Sequence, residues 1–300
     1  MKENFKQYSV FLILKTFGII SNLLGTNLGI RFGKIVGNVF RIASKKRFNI
    51  TLDNLSLAFP NLLKNEIEEI AIKSYHNLGI TFVEVVQMKN WNKDFIKQKI
   101  HFENIEIIEK AIQKGKGVIF LSGHYSNWEL LAFSAGIYIE NDINVVILNQ
   151  SSKYIDKYLN EIRTKEGNRV ISMDRAARQI VSILSKGEII ALLVDQSATE
   201  NKDIFVDFFN RPASTYEAPA SLALKFNSTI IMGLSVRDQY YNYNVKLIEI
   251  DHSDLQNNKE GILELTKRHV KVLEDQIRER PDLWSWQHKR WKHNPPSNEL

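Results

Sequence analysis

Between residues 118 and 194, short apolar runs alternate with segments of helical periodicity, and nothing else in the chain restricts the fold as much. The runs 118–121, 145–148, 170–172 and 189–194 read as buried strands. Segments 127–139, 153–165 and 174–186 between them carry apolar residues at helical spacing, and Gly167 and Gly187 stand where helices stop. This rhythm predicts βαβ units, and therefore an α/β fold with a central, mostly parallel sheet flanked by helices on both faces.

The flanking segments depart from that rhythm. Helices are predicted over 65–88, opened by an Asn65/Glu68 capping box, and over 104–114, closed by Gly115. Beyond the repeats, 203–209 reads as a short strand and 216–226 as a helix. The strands 229–236 and 240–250 read as an antiparallel hairpin on the sheet edge, and 260–280 as a long charged helix. No linker, internal repeat or low-complexity run divides the chain.

Charge is unevenly placed. The first fifty residues hold nine Lys/Arg and one acid, Glu3, so they carry +8 of the total +6, leaving −2 for the rest. Their stretch 8–24 is mostly apolar, interrupted by charge only at Lys15, and is borderline in length for a spanning helix. Basic residues among Leu, Ile and Phe fit an anionic membrane surface rather than nucleic acid. Lys34 and the run from Arg41 to Arg47 hold that flank on the cytoplasmic side. The predicted organisation is a basic, apolar, membrane-associated segment over 1–48 followed by one domain over 49–300. A helix packed on the protein is the competing reading of the segment.

Chemistry concentrates at Gly123-His124-Tyr125-Ser126-Asn127-Trp128-Glu129. Ligands of parallel α/β sheets gather at the carboxyl ends of the strands, which puts His124, after the first strand, and Asp195-Gln196, after the fourth, on one rim. A histidine titrating near neutrality suits removal of a hydroxyl proton, and a nearby carboxylate suits its orientation. Positions five apart on a helix lie about 140° apart, so His124 and Glu129 meet only with the histidine in the loop and Glu129 in the first helical turn. On spacing alone, Glu129 fits equally well as a capping partner of the Ser126 amide, and His124 as a structural residue. Asp195 fits a turn cap, and Arg163 a surface charge. The absence of cysteine excludes disulfides, thiolate metal sites and a cysteine nucleophile. No HExxH, phosphate-loop or dinucleotide motif is present, so no metal or cofactor is predicted.

The His-x4-Glu block resembles that of the lipid A biosynthesis late acyltransferases, the lauroyl/myristoyl type within the lysophospholipid acyltransferase superfamily. The similarity runs through Asn54, Leu55, Ala58, Phe59 and Pro60, then Arg163 and Gly167, then Leu193 to Gln196. It continues through Phe208-Phe209-Asn210-Arg211-Pro212-Ala213, where the family has glycine at position 210, and ends at Trp284, Trp286, His288, Arg290 and Trp291. The resemblance implies a glycerolipid acyltransferase-like fold and an enzyme of the bacterial inner membrane, its catalytic domain on the cytoplasmic side. It would move a fatty acyl chain from acyl carrier protein or acyl-CoA to a hydroxyl of an anionic glycolipid, a lipid A precursor. Another lipid acceptor, or a non-catalytic lipid-binding protein on the same fold, are the competing readings. By resemblance His124 is the general base and Glu129 its partner. Asn127, Arg163, Asp195 and Gln196 bind substrate, with Arg163 as a phosphate or oxyanion contact. Residue patterning leaves the tail open: Trp284, Trp286 and Trp291 among Lys289, Arg290 and Lys292 fit a membrane-interface cluster or the end of the core.

Overall fold

The four strands of the βαβ rhythm are joined by three more in a seven-stranded sheet, in which the strands beginning at residues 100, 243, 229, 118, 189, 143 and 169 lie side by side in that order. The computed structural model describes residues 2–139, 141–198 and 203–295. In chain order its elements are α1 (Lys2–Ala43), α2 (Lys45–Ala58), α3 (Lys64–Gln87), α4 (Lys93–Lys99), β1 (Ile100–Phe102), α5 (Glu106–Gln113), β2 (Val118–Ser122) and α6 (Trp128–Ile139). There follow β3 (Ile143–Ile147), α7 (Lys153–Arg163), β4 (Arg169–Ser172), α8 (Ala176–Ser185) and β5 (Ile189–Leu193). The last part comprises β6 (Asp203–Phe208), β7 (Arg211–Tyr216), α9 (Ala218–Phe226), β8 (Thr229–Arg237), β9 (Tyr243–Glu249) and α10 (Lys259–Glu279).

Every residue of β2 is buried, as a central strand covered on both faces requires. It pairs in parallel with β5 on one side and β8 on the other. Ser122 stands opposite Leu193 in that register, and the Val194 amide extends the ladder to the Ser122 carbonyl at 3.0 Å. Two residues further along each chain lie His124 and Asp195. Strand pairing alone therefore sets them side by side at the carboxyl rim.

Three predicted features differ. The β8–β9 hairpin is antiparallel as expected, but it lies inside the sheet, because the three-residue β1 pairs in parallel with β9 and forms the edge. A strand that short carries too little periodicity to read, and it blunts an edge that would otherwise expose a ladder. Residues 211–216, for which no strand is predicted, form β7, and Tyr216, expected to open the following helix, ends that strand. They pair with β6 across a two-residue turn in which Phe209 and Asn210 have φ of 55° and 58°. Positive φ at both central residues is the hairpin geometry that matches strand twist, and asparagine tolerates it nearly as well as glycine. The third concerns α3, which is capped by Glu66, whose carboxylate accepts from the Leu63 amide at 2.7 Å, rather than by Asn65 and Glu68.

α1 is long and apolar enough to cross a membrane, yet it is not straight. Gly25 breaks it at φ 62°, ψ −167°, and the rings of Phe17 and Phe32 stack with centroids 5.4 Å apart. Fifteen residues of straight helix would separate them by about 22 Å, so the two arms fold towards each other. The Gln87 amide donates to the carbonyls of Ser21 and Gly25, at 2.7 and 3.3 Å, satisfying groups orphaned by the break. On the second arm, Gly33 and Gly37 meet α3 at Ile80, Tyr75 and Gly79, where any β-carbon would lie under 3 Å from backbone atoms. On the first arm, Tyr8 and Phe11 pack on Tyr154 of α7. The outward side keeps Ile13, Leu23, Ile35 and Ile42 exposed.

Candidate active site

The loop from β2 to α6 is shaped before any side chain acts. A β-carbon on Gly123 would lie 3.3 Å from the Asp195 side chain, so glycine lets the β2 and β5 ends approach. Ser126 takes φ of 52°, and its amide donates to the Leu283 carbonyl at 2.7 Å. The Ser285 amide donates to the His124 carbonyl at 3.0 Å, which binds the tail to the loop. Asn127 Oδ1 accepts from the Leu130 amide at 2.9 Å and starts α6.

Asp195 organises the site. Its Oδ1 lies 2.8 Å from His124 Nδ1, and its Oδ2 accepts from the His124 backbone amide at 2.7 Å and from Trp284 Nε1 at 2.8 Å. Burial opposes ionisation of this carboxyl, but the His124 ring and amide and the Trp284 indole outweigh it and hold its pKa at about 2. An ionised carboxylate has no hydrogen to give, so His124 Nδ1 carries one and Nε2 is left as the base. Burial also lowers the His124 pKa, and the charge and hydrogen bond of Asp195, with a smaller contribution from Glu129, reverse that and raise it. Trp128 meets the imidazole edge to face at 5.0 Å.

Glu129 is engaged elsewhere. Arg163 grips it through two parallel bonds, Nε to Oε2 at 2.8 Å and Nη2 to Oε1 at 2.6 Å, and extends Nη1 to Asn160 Oδ1 at 3.3 Å. The hydrogen bond expected between His124 and Glu129 is therefore absent, and so is the alternative cap onto Ser126. A planar guanidinium arriving from α7 matches both carboxylate oxygens better than one imidazole N–H does. Arg163 is correspondingly occupied, and it does not line the cavity as a free phosphate contact.

Asn127 is not a substrate contact in this geometry. It is fully buried, and its Nδ2 donates to Glu84 Oε2 at 2.9 Å within an inner network of Glu84, Arg237 and Tyr243. Asp195 and Gln196 are in the wall of a cavity, although both oxygens of Asp195, expected to bind substrate, are taken up by His124 and Trp284. Gln196 Nε2 stands 3.4 Å from His124 Nε2. The cavity holds about 420 Å³, and Arg47, His124, Trp128, Trp284 and His288 are also in its wall.

Sequence reasoning read Arg47 only as part of the basic flank and His288 only as part of the terminal block, and placed neither in the site. His288 Nε2 accepts from the Ser197 amide at 3.1 Å, steadying the loop that carries Asp195. The tail is core: Trp284 and Trp286 are fully buried, and buried Arg290 donates to the Ser214 carbonyl and to Thr215 Oγ1. Burial lowers the pKa of that guanidinium to about 10. Among the described residues, no group of three His, Cys, Asp or Glu is arranged to hold a metal ion.

The family model for bacterial lipid A biosynthesis acyltransferases matches residues 3–293. The chain belongs to that family. Among its relatives are two proteins of Escherichia coli (strain K12) that match most of it. The lipid A biosynthesis palmitoleoyltransferase is 21% identical over 266 residues, covering 88% of this chain and 84% of the relative. The lauroyltransferase is 20% identical over 267 residues, covering 88% and 85%. The myristoyltransferase of the same strain is 25% identical over 193 residues, covering 63% and 55%. For this member of the family, the His-x4-Glu spacing marks the loop, but the carboxylate on the histidine comes from the end of β5.

Proposed function

We propose that this acyltransferase moves a fatty acyl chain from an acyl carrier protein or CoA thioester to a hydroxyl of a lipid A precursor, at the cytoplasmic side of a bacterial inner membrane. Membership of the family supports the reaction and the acceptor class. The observation that carries the mechanism is the Asp195–His124 pair, which leaves Nε2 as a base facing the cavity.

In this reading His124 Nε2 takes the acceptor hydroxyl proton while that oxygen attacks the thioester carbonyl carbon. Asp195 fixes the tautomer and stabilises the imidazolium that forms. When the C–S bond breaks, the imidazolium returns the proton to the leaving thiolate. Gln196 offers an amide donor on the same rim for the oxyanion. Glu129, neutralised by Arg163, fixes the start of α6 against α7 behind the histidine. The exposed apolar side of α1, with the basic residues around it, supports attachment to an anionic membrane.

Purified protein incubated with an acyl thioester and a tetraacylated, bisphosphorylated glucosamine disaccharide tests this by mass spectrometry of the lipid. The expected result is one added acyl chain, abolished by His124→Ala in a variant that keeps its fold. Wild-type protein that leaves the disaccharide unchanged, or full transfer by the variant, contradicts the proposal.

A further inference from the structure

Arg163, the cation expected to meet substrate phosphate, is bound on both carboxylate-facing edges to Glu129. A different arginine stands in the cavity wall beside His124: Arg47, at the start of α2. It is exposed, and no carboxylate pairs with it among the described residues. Its Nη1 donates to the Gln287 carbonyl at 2.9 Å. That carbonyl is itself held, because Asn54 Nδ2 donates to the carbonyls on either side, of Trp286 at 2.8 Å and His288 at 2.6 Å. One edge of the guanidinium is thus anchored to a fixed backbone, and its remaining N–H groups are free for a ligand.

The local electrostatics are unfavourable without such a ligand. The first turn of α2 reads Lys45, Lys46, Arg47, with no acidic residue, and Ser44 makes no side-chain cap. Three cations at the positive end of a helix are repelled by it and destabilise it. An anion at Arg47 is attracted by the same positive helix end that repels these cations.

We infer that Arg47 is the phosphate-binding residue of the catalytic cavity, taking a phosphoryl group of one of the two substrates. This rests on the acyl-transfer reading for the source of the phosphate, since both a phosphorylated glycolipid and a phosphopantetheine thioester carry one.

Trp128 and Trp284 line the same cavity, so their fluorescence reports binding without turnover. Two ligand pairs are titrated into full-length protein in detergent. One is the acylated glucosamine disaccharide with and without its phosphates, and the other is phosphopantetheine and pantetheine. The wild type is expected to bind the phosphorylated member of one pair at least tenfold more tightly, and the pair that responds identifies the substrate concerned. Arg47→Ala should erase that preference, and Arg47→Lys should keep part of it. Lys46→Ala, with the same charge change outside the cavity wall, should leave it intact. No preference in the wild type, preference surviving in Arg47→Ala, or equal loss in Lys46→Ala overturns the inference. Binding as expected without acyl transfer sinks the reaction and leaves the phosphate site standing.

Discussion

Asp195 holds His124 twice, through the ring Nδ1 at 2.8 Å and the backbone amide at 2.7 Å. The two contacts have different consequences. The ring bond selects the tautomer, and the amide bond ties the loop after β2 to the loop after β5, so the imidazole cannot move without its partner. Both follow from the register that sets Ser122 opposite Leu193. The carboxylate five residues after the histidine serves the scaffold instead, through Arg163.

The Glu129–Arg163 pair should behave as a unit. Both side chains are less than one-fifth exposed, and removing one partner strands the other's charge, which costs roughly 3 kcal/mol in such settings. Glu129→Leu and Arg163→Met should each lower thermal stability, and the double variant should be more stable than either. Acyl-transfer rates of the three variants should be non-additive in the same sense. Additive losses, measured by thermal melts and initial rates, would show that the two residues act separately.

His269 sets an acid limit on stability. It is fully buried in α10, and neither ring nitrogen has a hydrogen-bond partner among the described residues. Burial, followed by the charge of Arg290, lowers its pKa to about 3. The unfolded chain binds that proton near pH 6.5, so the unfolded state gains protons first and stability declines as pH falls below that value. Between about pH 6.5 and 4.5 the loss amounts to roughly 2 kcal/mol. His269→Leu should flatten this limb in urea titrations, and an unchanged slope would contradict the assignment.

The second arm of α1 should depend on its glycines. A β-carbon at Gly37 would stand 2.2 Å from the Tyr75 carbonyl oxygen, and one at Gly79 would stand 2.1 Å from that of Gly33. Gly37→Ala should force α1 off α3 at a cost of about 1–3 kcal/mol. Limited proteolysis within 26–43 should accelerate relative to wild type. Unchanged cleavage and melting would place the arm elsewhere in solution.

The sheet was legible because each βαβ unit writes its own period, and the gathering of ligand groups at the carboxyl ends of parallel strands set His124 and Asp195 on one rim. What the spacing left open was which carboxylate the histidine meets. Glu129 is close in sequence, but its partner arrives from α7, 34 residues later, and no local pattern encodes that packing. Asn127 differs for a related reason: the resemblance implied a substrate contact, whereas here it caps α6 and turns inward to Glu84. The four-residue spacing of Gly33 and Gly37 is visible in the chain, but the surface they fit, around Gly79, is a tertiary fact. Equally, the tryptophans of the tail fit a membrane belt or a core by composition, and only their burial decides for the core.

The most direct test of the central claim is the pH profile of kcat/KM for acyl transfer by Asp195→Asn. Asp195 raises the His124 pKa, and the base must be neutral to act, so wild-type activity falls as pH drops through that value. Removing the carboxylate charge should shift the acid limb to lower pH and depress the plateau on the order of 10³–10⁴-fold, because the tautomer is no longer enforced. An acid limb that stays in place with a near-normal plateau would contradict the account, and would return the orienting role to Glu129.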